Sequence, residues 1–520
     1  EVFADYFSDT PPIRKLALQL SQHLENGSIC IPKSEFELEP EDDVSSFLTD
    51  NPEEDKPFVA SQTHYYLHKY FHYETAIIKG IEGIINHSRT DATERLQMLQ
   101  EHANILTDLA EQSKHPSSRT QLLAGINSFI EGFSIITGGP GTGKTTGIRI
   151  LLYLLFRLKK GSQIALLAPT GKAASRMSES LRTPSHLQLD ESSSFSEYIE
   201  NIESSTIHRA LASASRARHL PFDVVIVDEA SMIDVSLFAR LISSLHASAK
   251  LVLIGDRHQL ASVEAGSAFN DICTSFLKEK TVFHPAKENL YRSLFPNLDL
   301  NFNARSITEG KAIELTHSHR FDSAKGIGLL SDDVLNSDLK KEQEYSGLSG
   351  IEFKSELDHL SLEHVINAFA NALQNNDIIT AIKDLNSARV LCALRYGPKG
   401  LYSVNQLIES ALQEKHIIHP AQPFYHNQPI LIRANQYELQ LYNGDQGLIR
   451  MNDKGELRAW FLRTDGTAKN FAVSLLPNFD TAYAMTIHQS QGSEFDHVTI
   501  VLPDQSEHNI PSKQLIYTAI

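Results

Sequence analysis

EGFSIITGGPGTGKTTGIRILLYLL, residues 131–155, decides the fold. Phe133 to Ile136 is a short apolar run of the kind that forms a buried strand. A turn follows with Gly138, Gly139, Pro140, Gly141, Thr142 and Gly143. Lys144, Thr145 and Thr146 then open a helix whose apolar residues include Ile148, Leu151, Leu152 and Leu155. Gly138 to Thr145 fits G-x-x-x-x-G-K-T, the pattern of a loop whose backbone N–H groups wrap a polyphosphate. Glycines let the chain turn that tightly, and the helix N-terminus adds partial positive charge. Lys144 is placed to reach the β- and γ-phosphates of ATP, and the Thr145 hydroxyl to ligate Mg²⁺.

The 520 residues are enough for several domains. With 47 Lys+Arg against 64 Asp+Glu, the formal charge is −17, which excludes a polyanion binder basic over its whole surface. Any nucleic-acid path must be a local basic groove or be shared with a more basic partner. Cys30, Cys273 and Cys392 are far apart and fit a reducing compartment with buried thiols rather than a disulfide frame. No apolar run reaches bilayer length, and no secretory signal is visible.

Residues 1–118 form a leading region expected to be helical and to dock a partner. Ile13, Leu16, Ala17, Leu20 and Leu24 make a helical stripe, and periodicity returns over 63–85 and 91–109. The acidic stretch 35–55, broken by Pro40 and Pro52, reads as a solvated linker. His64, His68 and His72 sit at i, i+4 and i+8 on one face of a helix, but no Cys or paired carboxylate completes a metal set, so they read as packing or surface histidines. From 119 to 305 strands and helices alternate, with apolar runs at 133–137, 164–168, 224–227 and 251–254; such runs predict parallel strands buried on both faces. Ser-rich residues 181–205 read as an insertion or mobile loop. A second α/β unit, 306–520, carries candidate strands at 390–394 and 498–502. Within it, 428–476 has runs separated by Asn443-Gly444-Asp445 and Asp453-Lys454-Gly455, the chemistry of hairpins in a small β-barrel-like insertion.

Val224-Val225-Ile226-Val227-Asp228-Glu229 places two carboxylates at the end of an apolar strand. Downstream of a phosphate loop, Asp228 is suited to hold Mg²⁺ and Glu229 to orient and deprotonate the attacking water. In Leu253-Ile254-Gly255-Asp256-Arg257-His258-Gln259, a strand ends in a turn, and the neutral amide of Gln259 can sense a γ-phosphate.

GGPGTGKTT, APTGKAASRM, STIHRAL, VVIVDEASMID and LIGDRHQLASVEAGSAFNDIC resemble consecutive motifs of superfamily-one DNA helicases of the 5′→3′ branch. With ELTHSHRF, VLCALRYGPKGLYSVN, LQLYNGDQG, YAMTIHQSQGSEF and the early LENGSICIP, the chain resembles most nearly the alpha-subunit family of bacterial exodeoxyribonuclease V, RecD. The resemblance implies an α/β fold of two RecA-like P-loop motor domains, an SH3-like β-barrel insertion and a helical N-terminal domain. It implies an ATP-dependent 5′→3′ helicase acting on single-stranded DNA at duplex ends, in a heterotrimer with RecB-like and RecC-like subunits, for double-strand break repair and recombination. No constellation in the chain looks like a metal-dependent nuclease, so that activity is expected in a partner.

By the same resemblance, Gln121 reads adenine, Glu494 lies near the ribose, and Arg320 enters the ATP site from the second motor domain to stabilise charge on the γ-phosphoryl. Pro169, Thr170, Lys172, Arg176 and His208 match first-domain DNA contacts, and Thr486, His488 and Gln489 a segment coupling nucleotide to DNA. Lys172 and Arg176 also supply local positive charge for a phosphate backbone, although the same pattern suits a solvated helix face. The family continues beyond Tyr517-Thr518-Ala519-Ile520 with a further ATP-site arginine, so a fragment cut at both ends is expected. Two other readings stay open: a free-standing or conjugative-type helicase, and a non-catalytic regulatory subunit that binds nucleotide as a structural ligand.

Overall fold

The computed structural model describes all residues except 1, 40–43, 114, 184–188, 190–192, 214–218, 263–264, 278–280, 321–324, 341–343, 346–347, 349, 421, 437, 464–465 and 505–510. The chain divides into two compact units. The first comprises 1–169, 180–257 and 261–319; the second comprises 170–179, 258–260 and 320–520.

In the first unit, after a short helix Val2–Asp5, the helix Pro11–Glu25 buries Ile13, Leu16, Ala17 and Leu20 as the stripe predicts. The leading region is not all helical, however. Strands β1 (Cys30–Pro32), β2 (Leu48–Thr49), β3 (Phe58–Ala60) and β4 (His64–Leu67) form a four-stranded sheet in the order β1-β4-β3-β2. Strands of two to four residues are too short to register as alternation. They are held by packing of Phe7, Phe36, Phe58 and Tyr65 against the Pro11–Glu25 stripe. The expected linker is also corrected, because Phe36 and Thr49 are buried and part of this layer; residues 40–43 lie outside the described residues. His64 sits on β4, so the three histidines do not share a helix face. His68 and His72, on the helix His68–His87, instead bond to each other at 2.9 Å through their Nε2 atoms.

The main sheet of this unit contains β5 (Phe133–Gly138), β6 (Ile164–Ala168), β7 (Glu203–Thr206), β8 (Val224–Val227), β9 (Lys250–Gly255) and β10 (Ala312–Leu315). It is wholly parallel, in the order β10-β5-β9-β8-β6-β7. Every residue of β5, β6, β8 and β9 is buried, which is why four continuous apolar runs were needed. The helix His68–His87 packs Ile77, Ile81, Ile84 and Ile85 into the same core as Phe238, Leu241 and Ile242 of the helix Val235–Ser244. Gly80 permits that approach, since a Cβ there would lie 2.1 Å from Ile242 Cγ2. The Ser-rich stretch is a further correction. Ser193–Glu200 is a helix that buries Phe195 against Tyr153, ring centroids 5.4 Å apart, and Glu203–Thr206 is the edge strand β7; 184–188 and 190–192 lie outside the described residues.

In the second unit, β11 (Ala388–Cys392) is the centre of a parallel sheet. Next in the chain come β12 (Gln428–Ile432), β13 (Gln446–Met451), β14 (Leu457–Leu462), β15 (Ala468–Ala472), β16 (Phe479–Thr481), β17 (Ala484–Thr486) and β18 (His497–Val501). The parallel sheet runs β17-β11-β18. The predicted hairpins form an antiparallel sheet in the order β15-β14-β13-β12-β16, with Ile430, Ile432, Ile449, Phe461 and Phe471 on its buried face. Among the described residues no ladder joins β15 to β16. Among the described residues, no helix is long and apolar enough to cross a membrane.

Candidate nucleotide and DNA sites

In the first unit β5 ends at Gly138, and the helix Lys144–Leu158 starts directly after the loop. Gly141 and Gly143 have φ of +71° and +86°, left-handed values that glycine adopts without a Cβ penalty. Gly143 is constrained twice. A Cβ on it would lie 2.1 Å from Gln121 Nε2. Lys144 Nζ donates to Gly138 O at 2.6 Å and Gly139 O at 3.0 Å, which holds the ammonium inside the curve of its own loop. Thr145 and Thr146 follow in the first turn, both partly exposed.

Gln121 lies in the helix Pro116–Ile130 and is 1% exposed. Its Nε2 donates to Thr142 O at 2.9 Å and faces His319 Nε2 at 3.3 Å, while its buried Oε1 has no hydrogen-bond partner among the described residues. A buried amide oxygen without a donor is costly. It is the kind of atom that the exocyclic amine of a bound adenine satisfies. His319 Nε2 also meets Ser117 Oγ at 3.1 Å, and that hydroxyl meets His115 Nδ1 at 2.7 Å. The segment just before Arg320 is tied to the phosphate loop as well: His319 N donates to Gly141 O at 2.9 Å and Ser318 Oγ to Pro140 O at 3.0 Å. These residues were not singled out as site residues in the sequence. The histidines of ELTHSHRF were the available signal, but the contacts lie almost 200 residues away in the chain.

Asp228 and Glu229 follow β8, separated from β5 by β9 alone. Asp228 N donates to Leu167 O, and the Glu229 amide donates to Asp228 Oδ1 at 2.9 Å. Burial pushes the Asp228 carboxyl above its usual range, with the Glu229 amide and the Lys144 charge pulling the other way. Such a carboxylate favours a neighbouring cation. Together with the Thr145 hydroxyl, it supplies the hard oxygen donors that Mg²⁺ takes. Glu229 has φ +50°, a left-handed conformation that costs a non-glycine residue about 1–2 kcal/mol. Strain of this kind concentrates at functional sites. His208 is exposed on the helix Ile207–Ser213 after β7, and Pro169 follows β6.

Other expected residues fall in the second unit. Gln259 lies in the short segment 258–260, whose Leu260 N donates to Thr518 Oγ1 at 2.8 Å and whose Leu260 O accepts from Gln491 Nε2 at 2.8 Å. Arg320 and Glu494, given separate roles by the sequence, are paired with each other at 2.8 Å. Lys172 Nζ donates to Ser493 Oγ at 2.6 Å, and Arg176 to Gly492 O. Burial, with Arg176 adding to it, lowers the Lys172 pKa to about 8. Thr170 Oγ1 accepts from Ala173 N. Thr486 and Gln489 form a capping box on the helix Ile487–Ser490: the Thr486 hydroxyl accepts from Gln489 N at 3.3 Å and Gln489 Oε1 from Thr486 N at 2.9 Å. Both side chains are therefore engaged in setting the turn. His488 is turned outward, its pKa lowered by partial burial and then by Arg395.

Residues 121–265 match the family model of an AAA domain, and 481–520 that of a UvrD-like helicase C-terminal domain. The RecBCD enzyme subunit RecD of Buchnera aphidicola subsp. Schizaphis graminum is 29% identical over 496 residues, covering 89% of this chain and 79% of that one. The protein of the same name from Mycolicibacterium smegmatis is 34% identical over 415 residues, 75% of this chain and 66% of that one. The ATP-dependent RecD2 DNA helicase of Deinococcus radiodurans is 25% identical, covering 74% of this chain and 45% of that one. The chain thus spans from under half to about four-fifths of the relatives it matches. With the phosphate loop, the Asp-Glu pair and the buried glutamine in place, the chain belongs to the RecD family of superfamily-one helicases.

Proposed function

We propose that this protein is an ATP-driven DNA helicase, the 5′→3′ motor subunit of a RecBCD-type complex acting at duplex ends in double-strand break repair. Its partners in that reading are RecB-like and RecC-like subunits in the bacterial cytoplasm, with residues 1–118 the docking region. The motor domains start from the expected 119–305 and 306–520, but β10 completes the first sheet, so the boundary falls after His319 rather than at 305/306; 428–476 is an SH3-like insertion. The observation that carries the reading is that Lys144 and Gln121 bond to carbonyls of one phosphate loop in the first unit and that the Lys144 charge acts on Asp228, the residue before Glu229. Mg²⁺ held by Thr145 and Asp228 would neutralise phosphate charge when bound.

Geometry supports the parts given to Lys144 and Gln121, and the family resemblance supplies the rest. Lys144 leaves two weak carbonyl partners for phosphate oxygens, an exchange that favours the stronger charge-assisted bonds. Glu229, at the end of a buried strand, accepts the proton of the attacking water. Gln121 has its amide donors turned to Thr142 O and His319, so its free oxygen selects a base that presents an amino group. Arg320 and Gln259 are the groups assigned to stabilising and sensing the γ-phosphoryl, and Glu494 to the ribose. Lys172, Arg176, His208, Thr486, His488 and Gln489, with Pro169 and Thr170, are assigned to the DNA path.

The test is Lys144→Gln in the assembled complex. Single-strand-stimulated ATPase should fall by at least about 10²-fold, the typical loss on removing one charge-stabilising group. Unchanged hydrolysis would favour the other class of reading, a subunit that binds nucleotide only as a structural ligand.

A further inference from the structure

The parallel pair β11 and β17 is in register with Cys392 opposite Thr486. The segments after them, 393–396 and 487–489, therefore leave the sheet side by side at its carboxyl edge, where open α/β sheets bind ligands. The first segment carries Arg395 and Tyr396, to which no role has been given. Tyr396 is 74% exposed and Tyr402 41%, and their ring centroids are 5.3 Å apart at an interplanar angle of 40°.

Two exposed aromatic rings would be unremarked on a mobile loop, but this loop is fixed. Gly400 N donates to Gly397 O at 3.0 Å, Leu401 N to Leu394 O at 2.9 Å, and Ser403 Oγ to Gly397 O at 2.8 Å. Tyr402 stands in the first turn of the helix Leu401–Glu414. The fold thus presents both rings to solvent in a set geometry, without the burial that normally rewards an aromatic side chain. Two arginines stand beside them. Arg395 is exposed, next in the chain to Tyr396, and close enough to His488 to lower its pKa, and Arg433, anchored by Asp480 at 2.6 Å, lies by the Tyr402 hydroxyl. On a chain of net charge −17, this is a local exception.

We infer that Tyr396 and Tyr402 form a base-stacking platform for single-stranded DNA on the second unit, with Arg395, Arg433 and His488 facing the sugar-phosphate backbone. Aromatic faces interleaved with cations suit an unpaired strand, whose bases are free to stack and whose phosphates need neutralising. A protein partner's apolar face would not call for the arginines. The inference rests on the single-strand reading above and adds the residues that grip bases rather than phosphates.

The test uses the full chain, an oligothymidylate, and an abasic oligomer of the same length, followed by fluorescence anisotropy at two salt concentrations. The wild type should prefer the oligothymidylate by about tenfold or more, the worth of one or two stacked bases. The double variant Tyr396→Ala/Tyr402→Ala should lose that preference while keeping its affinity for the abasic strand, and Tyr396→Trp should retain it. A double variant that still prefers bases overturns the platform. So does one that binds DNA normally but no longer copurifies with large partner subunits, because the patch is then a protein interface. If the wild type shows no salt-sensitive binding to either oligomer, the single-strand reading itself fails.

Discussion

Gly143→Ala probes the packing of Gln121 on the phosphate loop, the contact to which the proposed adenine reading assigns recognition. The backbone there has φ +86°, so any Cβ carries the left-handed penalty of about 1–2 kcal/mol. That Cβ would also lie 2.1 Å from Gln121 Nε2. Gln121 is 1% exposed and cannot swing into solvent, so it must give up its 2.9 Å bond to Thr142 O. Leaving buried polar groups unpaired adds about 1–3 kcal/mol. The sum is about 2–5 kcal/mol, of which the second part vanishes in a Gln121→Ala background. A double-mutant cycle separates the two. Hydrogen exchange of the amides in the helix Lys144–Leu158 reads each variant. Gly143→Ala should lower protection by about 30-fold or more in the parent, and by about tenfold in the Gln121→Ala background. Equal losses in both backgrounds would refute the claim that Gln121 holds the loop.

Two further outcomes follow from buried charges. Burial alone would raise the Glu131 carboxyl, but Lys287 at 2.6 Å and Lys311 hold it down at about 2 against an ordinary 4.5. Its stabilisation is therefore full above pH 4.5 and is lost as pH falls toward 2, about 2 kcal/mol of it by about pH 3. Glu131→Gln should cost about 3–5 kcal/mol near neutrality by stranding Lys287. Exchange of the Pro116–Ile130 amides should show that gap closing in acid, and a gap independent of pH would contradict the assignment. Lys172, lowered to about 8 chiefly by burial, loses its charge as pH rises through that value. Single-strand affinity by anisotropy should fall between about pH 7 and about pH 9, and Lys172→Arg should remove the dependence; an identical profile in that variant would take Lys172 off the DNA path.

What the sequence showed and what it hid divide along physical lines. β5, β6, β8 and β9 were legible because strands covered on both faces must be continuously apolar. β7, Glu-Ser-Ser-Thr, was not: an edge strand pairs with β6 alone and tolerates polar residues on its open side. β1 to β4 escaped because two to four residues carry no readable period. The phosphate loop and the Asp-Glu pair were legible because their chemistry is local in the chain. The clasp of Ser318 and His319 on the loop was hidden because it joins residues far apart in sequence through backbone carbonyls, which leave no trace in residue type. Thr486 and Gln489 were legible as a segment, yet their geometry shows a capping box that would be placed there with or without DNA.

A buried cluster beyond the phosphate loop fixes the helix that carries Gln121. Gln121 and Glu131 are ten residues apart, about 15 Å along the helix Pro116–Ile130 and its C-cap. At the far end, Lys250 Nζ takes the carbonyls of Ser128 at 2.7 Å and Phe129 at 3.0 Å, together with that of Glu131. These are carbonyls that a helix end leaves without partners. Asn127 Nδ2 donates to Gly310 O, and its Oδ1 accepts from Lys287 and Tyr291. Lys250 is also the first residue of β9, whose last residue, Gly255, leads to Asp256 and Arg257. One helix and one strand are thus locked together at the end remote from the phosphate loop. Rotation or sliding of the helix would move Gln121 relative to Thr142 and must first break buried, charge-assisted bonds. The position of the Gln121 amide against Thr142 is therefore set by a polar network at the opposite end of the helix.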